Sequence, residues 1–187
     1  VIGSMPDQLF EYDDGQPLNT NTFQKIGYIF DGWIRVDSGE EDPPVYQDGA
    51  IVKFNSEQNG KVILQALWKP ITYNVCFKAS SETDADCYYK TFVYDESYFF
   101  DSVPSFSKAG YVISSWTQTN GDHANHIWPS DTSVKNLTSQ RGETVELIAN
   151  WKPITYDLVY RSNIEYPYST METVYDIPYD TDIALLE

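Results

Sequence analysis

Two cysteines, two histidines and three acidic clusters are the residues of this 187-residue chain whose types and spacing could do chemistry. Cys76 and Cys87 are the only cysteines. A hairpin turning near Ser81 and Glu82 would set them opposite each other, so a cross-strand disulfide is one reading and two separate buried thiols the other. Two cysteines alone do not make a zinc site, which takes four ligands. His123 and His126 form a His-x-x-His pair, a spacing that shares a metal on a helix. Thr119-Asn-Gly-Asp122 before it reads as a turn, which favours a solvated loop. Asp13-Asp14, Glu40-Glu41-Asp42 and Asp84-x-Asp86 bring carboxylates together, as glycoside hydrolysis and calcium binding require. No D-x-[DN]-x-[DN]-G loop accompanies them, so solvated turns are the simpler reading. Asn136-Leu-Thr138 is a glycosylation sequon, meaningful only in a host that uses it. No nucleophile elbow or triad context surrounds Ser, Cys or His, and two histidines in one loop leave few general bases. The expectation is a protein that is not an enzyme and holds no metal or cofactor.

The elements carrying these residues are repeated. Trp68-Lys69-Pro70-Ile71-Thr72-Tyr73 returns letter for letter as Trp151-Lys152-Pro153-Ile154-Thr155-Tyr156, 83 residues on. Gly27, Tyr28 and Trp33 return at the same offset as Gly110, Tyr111 and Trp116. Phe10, Tyr12, Asp13, Val52, Lys53 and Gly60 return at 82, as Phe92, Tyr94, Asp95, Val134, Lys135 and Gly142. A one-residue slip between matched blocks is what a change of loop length produces in a duplicated unit. Three copies are expected: 1–70, without a first strand; 71–153, complete; and 154–187, the start of a third.

Within the complete copy, 71–77 alternates with period two. Ile71, Tyr73, Val75 and Phe77 take one face, and Thr72, Asn74 and Cys76 the other, as in a half-buried strand. A polar stretch and a second aromatic run over 88–94 make the pair a hairpin. Residues 95–108 carry Pro104 and little periodicity, which suggests a short helix or an irregular crossover. Strands are predicted over 110–116 and 145–151, with a short extended piece around 127 and 128. No amphipathic helix of 12 or more residues is legible, so the fold class is mainly β, with α+β as its limit. Only Lys-Pro separates the last strand of one copy from the first of the next, and proline's fixed φ leaves little rotation there.

Apolar residues are 41% of the chain and aromatics 16%, enough to fill cores. The net charge of −16 divides as −6, −4 and −6 over 1–70, 71–153 and 154–187. Acidity spread so evenly repels nucleic-acid phosphate and anionic lipid. No apolar run approaches the roughly 18 residues that span a bilayer. Trp33, Trp116, Trp68 and Trp151, shared between copies, read as core. The unshared Tyr88, Tyr89, Tyr98, Phe99, Phe100, Tyr166 and Tyr168 either pack in the core or along sheet edges, or line a face for a sugar or protein.

Gly27-Tyr-Ile-Phe-Asp-Gly-Trp33, Tyr46-Gln-Asp-Gly49 and Leu64-Gln-Ala-Leu-Trp68 with the Lys-Pro-Ile-Thr-Tyr that follows resemble the Listeria–Bacteroides repeat of internalin-type bacterial surface proteins. The resemblance spans nearly the whole chain. The second copy departs from it where Phe30 and Gly32 become Ile113 and Ser115, and where Asp48-Gly49 becomes Asp131-Thr132. It implies compact β-grasp-like modules stacked head to tail on a bacterial cell envelope, acting as spacer or display stalk toward a protein or glycan ligand. A carbohydrate-binding accessory module of a secreted hydrolase is the alternative. The incomplete ends lead to one more expectation, that the 154–160 strand of one chain adds to the first copy of another. Back-folding of 1–9 into that gap, or disorder of both ends, is the other reading.

Overall fold

The structure, a computed structural model, describes residues 1–54, 60–82, 86–100, 106–161 and 170–184, with backbone only at 170 and 171. Asp84, Tyr166, Tyr168 and the 101–105 part of the crossover lie outside these residues. The chain is mainly β and divides into two compact units. One comprises Val1–Asn74, Thr91–Glu96 and Lys135–Thr144; the other comprises Val75–Lys90, Ser97–Val134 and Val145–Glu187.

In the first unit, β1 (Gln16–Pro17) pairs with β4 (Ile51–Val52). A three-stranded sheet has the order β3 (Val45–Tyr46), β2 (Tyr28–Arg35), β5 (Leu64–Pro70). Trp33 is flanked by Tyr46 on one side and Ala66 on the other. Register slips between Phe30 and Gly32, and Gly32 takes φ 132° with the Tyr46 carbonyl where a Cβ would stand. Only glycine tolerates both conditions. Leu18, Trp33, Val52 and Phe54 form the core, with Met5, Phe10, Phe23 and Phe30 packed against it. Phe23 and Phe30 meet Trp33 edge to face, at 6.2 and 4.9 Å. The N-terminal residues run beside Gln24, which bridges Ile2.

A five-stranded sheet has the order β10 (Ile127–Pro129), β9 (Tyr111–Gln118), β12 (Thr144–Pro153), β6 (Thr72–Lys78), β7 (Tyr88–Val93). In the second unit Phe77 packs edge to face on Trp116 at 5.3 Å and on Phe100 at 6.2 Å, above buried Val75, Val145 and Leu147. Each such side chain, fully buried, favours folding by about 1.5–3 kcal/mol. The alternation over 71–77 is visible in Ile71, Tyr73, Val75 and Phe77, all buried. Cys76, on the opposite face, is buried as well. The crossover holds a strand that its composition does not announce: β8 (Tyr98–Phe99) pairs with β11 (Ser133–Val134). A hairpin, β13 (Thr155–Arg161) with β14 (Thr170–Pro178), stands apart as a two-stranded sheet.

These strands follow the repeat. β2 and β9, and β6 and β13, begin 83 residues apart, whereas β1 and β8, β3 and β10, and β4 and β11 begin 82 apart. The slip between blocks therefore falls in the loops between strands.

Candidate functional site

Cys76 and Cys87 form a disulfide with Cα atoms 5.4 Å apart, tying β6 to the start of β7. His123 and His126 sit in a tight turn closed by the His126 amide on the His123 carbonyl, 3.0 Å. Both rings pack on Trp128, His126 at 4.1 Å and His123 at 5.7 Å. Beneath them Gln118, fully buried, accepts from Trp128 Nε1 at 3.1 Å and donates to the Asn120 carbonyl at 2.6 Å. The loop is thus held by its own polar network. Among the described residues no group of three or more His, Cys, Asp or Glu could hold a metal ion. In the acidic clusters, Asp13 pairs with Lys53 at 3.0 Å, and the Glu40 amide is bonded to Ser38 Oγ at 3.3 Å.

The signature glycines and tyrosines come together with residues that lie far along the chain. In the first unit, Tyr28 turns back so that its amide meets the Lys25 carbonyl at 3.0 Å, and the Lys25 ammonium lies 3.4 Å from the Tyr28 ring centre. Gly27, at φ 74°, gives its carbonyl to the Ile71 amide at 2.9 Å, and the Ile71 carbonyl accepts from the Tyr94 amide at 3.0 Å. The Tyr94 ring lies over Gly27 where any Cβ would overlap it, and meets Tyr28 edge to face at 5.8 Å. Asp95, at φ 66°, follows.

Asp95 is the hub of this cluster. Its carboxylate accepts from the Tyr28 hydroxyl at 2.6 Å and from Asn136 Nδ2 at 2.8 Å, while its amide donates to Asn136 Oδ1 at 2.6 Å. The Asn136 hydrogen bond, followed by that of Tyr28, holds the Asp95 carboxyl below its ordinary range. The same pair raises Tyr28, chiefly through its bond to the carboxylate. Both atoms of the Asn136 amide are engaged, so the sequon's acceptor nitrogen is held by Asp95. Its Leu137 and Thr138 are fully buried.

The second unit repeats the backbone and ring contacts of this cluster. The Gly110 carbonyl accepts from Ile154 N at 2.9 Å, and the Ile154 carbonyl accepts from Tyr179 N at 2.8 Å. Tyr179 overlies Gly110 and meets Tyr111 at 6.0 Å, and Lys108 lies 4.1 Å from the Tyr111 ring centre. Asp180 has φ 62°, and Asp13, after the exposed Tyr12, has φ 63°.

Neither a family model, nor a curated protein, nor a solved structure matches this chain.

Of the signature residues, Trp33 and Trp116 are buried. Trp68 meets Phe30 at 5.8 Å, and Trp151 donates through Nε1 to the Ala79 carbonyl at 2.8 Å. Tyr179, Asp180 and the hub role of Asp95 escape a reading by strands. The one signal was the Tyr-Asp pair recurring at 12–13 and 94–95, which occurs again at 179–180. Chemically, the clusters bind backbone to backbone and ring to ring. None of them presents a nucleophile beside a base.

Proposed function

We propose that this chain is a non-enzymatic, tandem-repeat segment of a bacterial cell-surface protein. In this reading it is a stiff extracellular spacer of β-grasp-like modules of the Listeria–Bacteroides type, displaying neighbouring domains to a protein or glycan partner. The modules are 1–70, 71–153 and 154–187. One observation carries the reading: the two backbone hydrogen bonds, the tyrosine ring over the glycine and the lysine over the tyrosine ring recur at Gly110-Tyr111/Ile154/Tyr179 as at Gly27-Tyr28/Ile71/Tyr94, where one copy of the repeat passes into the next. A flexible linker needs no such cluster. A joint with two backbone hydrogen bonds, a ring over a glycine and a cation over a ring resists bending. Net negative charge in every copy suits a surface that must not adhere indiscriminately.

Residual dipolar couplings test the joint. Amides of 28–70 and of 111–153 should fit one alignment tensor in the native chain. After Tyr94→Ala they should need two. Independent tensors in the native protein would defeat the spacer reading.

A second reading rests on exposed aromatics, Tyr88 and Tyr89 on β7, the edge strand of the five-stranded sheet, and Phe99 on β8. Such rings suit a sugar-binding face, as in a carbohydrate-binding accessory module of a secreted hydrolase. Glycan titrations followed at the Tyr88 and Tyr89 amides decide it; saturable shifts abolished by Tyr89→Ala would favour this second function.

A further inference from the structure

In the second unit β9 ends at Gln118 and β10 begins at Ile127, and the loop between them carries both histidines of the chain. A His-x-x-His pair ordinarily needs a turn of helix to bring its two rings to one side. Here a β-turn does the same. The His126 amide returns to the His123 carbonyl, and Asn125, third in the turn, takes φ 69°, which asparagine tolerates. The two imidazole centres stand 6.5 Å apart, with their planes at 63°. We propose that His123 and His126 together capture a divalent transition-metal ion, copper(II), nickel(II) or zinc(II), at the exposed face of this turn.

The spacing supports it first. With about 2.0–2.1 Å between metal and each nitrogen, two imidazole centres on one ion lie roughly 5–6.5 Å apart, depending on the angle at the metal. The observed separation is at the upper end of that span. Both side chains are exposed, so a small rotation of either closes the distance.

The backbone that carries the rings is already fixed. Gln118 N donates to the His126 carbonyl at 2.9 Å, and Asn125 N to the Gln118 carbonyl at 2.7 Å. Gln118 is fully buried and accepts from Trp128 Nε1, and the Trp128 ring backs both imidazoles. A ligand pair held in place beforehand avoids the ordering cost that a floppy loop meets on binding.

The donor type selects the ion. Imidazole nitrogen suits copper, nickel and zinc, whereas calcium and magnesium take oxygen. Among the described residues no third His, Cys, Asp or Glu completes a group. The remaining coordination positions therefore go to water, as in an open site and unlike a closed structural zinc site. The net charge of −16 draws cations toward the surface. This inference goes beyond the spacer reading and does not depend on it.

Zinc(II) chloride titrated into the 1–187 chain, followed by NMR of the imidazole ring signals, tests it. The chain has no other histidine, so every such signal reports this turn. Both rings should shift together and saturate at one ion per chain. Copper(II) should bind more tightly than nickel(II) or zinc(II), and calcium and magnesium should leave the rings unmoved. His123→Phe and His126→Phe each keep a ring beside Trp128 and remove its nitrogens. Either should weaken zinc binding about a hundredfold, because the second ligand acts at high effective concentration. Amide shifts outside 119–128 that match the native protein show that each variant is folded. Two results overturn the proposal. One is imidazole signals that do not move at millimolar zinc. The other is each single variant binding as tightly as the native chain, which would make the contacts adventitious and one-point.

Discussion

The Tyr28 hydroxyl donates a 2.6 Å hydrogen bond to the carboxylate of Asp95, 67 residues along the chain. Asp95 is fixed in turn by Asn136 on both its amide and its carboxylate. The contact is exposed, so its worth lies in geometry: it sets the angle of the Tyr28 ring against Tyr94. In a double-mutant cycle, Tyr28→Phe and Asp95→Asn should each lower the melting temperature. The pair together should cost less than their sum. Strict additivity would show that the hydrogen bond does not couple them.

The acid limb of stability follows from two carboxylates. Asp37 is held at about 2, first by the Arg35 guanidinium and then by the Ile63 amide, and Asp95 is lowered by Asn136 and then Tyr28. A depressed folded value means stability is present above the unfolded value near 4 and is lost as pH falls through the folded one. The melting temperature should therefore drop between about pH 4 and pH 2. The slope should be shallower in Asp37→Asn and in Asp95→Asn. Tyr28 is raised, so its contribution holds below about pH 10 and fades as pH climbs through the folded value. Melting curves at graded pH check both limbs.

Gly27 and Gly110 sit under tyrosine rings, whereas Gly39 and Gly142 have similar φ, 71° and 73°, with nothing nearby. Alanine at any of the four meets the left-handed backbone penalty, about 1–2 kcal/mol. At Gly27 and Gly110 the overlap with Tyr94 and Tyr179 should add about 1–3 kcal/mol. Urea unfolding of the four single variants separates the two costs. Equal losses would mean the rings move aside freely.

Tyr73 is buried, with its hydroxyl accepting from the Leu137 amide at 3.2 Å, while the matched Tyr156 is exposed. Tyr73→Phe should cost about 1–3 kcal/mol, because it withdraws an acceptor from a buried amide. Tyr156→Phe in dilute protein should stay within about 0.5 kcal/mol. Chemical denaturation of each variant measures the contrast.

The Cys76–Cys87 bond closes a short loop, for which chain entropy gives about 3 kcal/mol. Reduction, or Cys76→Ala with Cys87→Ala, should lower stability by about that amount or less. Counting thiols in denatured, unreduced protein should find none. Two reactive thiols would remove the basis for this expectation.

The long strands were legible because their physics is local. Alternation over 71–77 and the aromatic run over 88–94 announce β6 and β7, and the repeat transfers β9 and β12 onto β2 and β5. The strand pairs β1–β4 and β8–β11 were not, since two residues carry no period and their pairing is settled by tertiary contacts. The Cys76 face read as the open one because alternation reports a single buried face; on it Thr72 is exposed and Asn74 half-buried, and Cys76 alone is buried, beside its disulfide partner. The cluster around Asp95 was legible only as a recurring Tyr-Asp pair. Nothing local to residue 28 indicates that its hydroxyl meets residue 95, and the buried Gln118 likewise draws its partners from a neighbouring loop.

The disulfide has a mechanical consequence. A chain drawn out from its two ends lengthens by every residue that its unfolding releases, but residues between Cys76 and Cys87 stay behind the sulfur bridge. At about 3.3–3.6 Å per extended residue, the bridge withholds roughly 35 Å of contour. The copy that carries it is a shorter tether under load than an equal length of unbridged chain. A change of redox state would lengthen the molecule's reach under tension without altering one residue of its sequence.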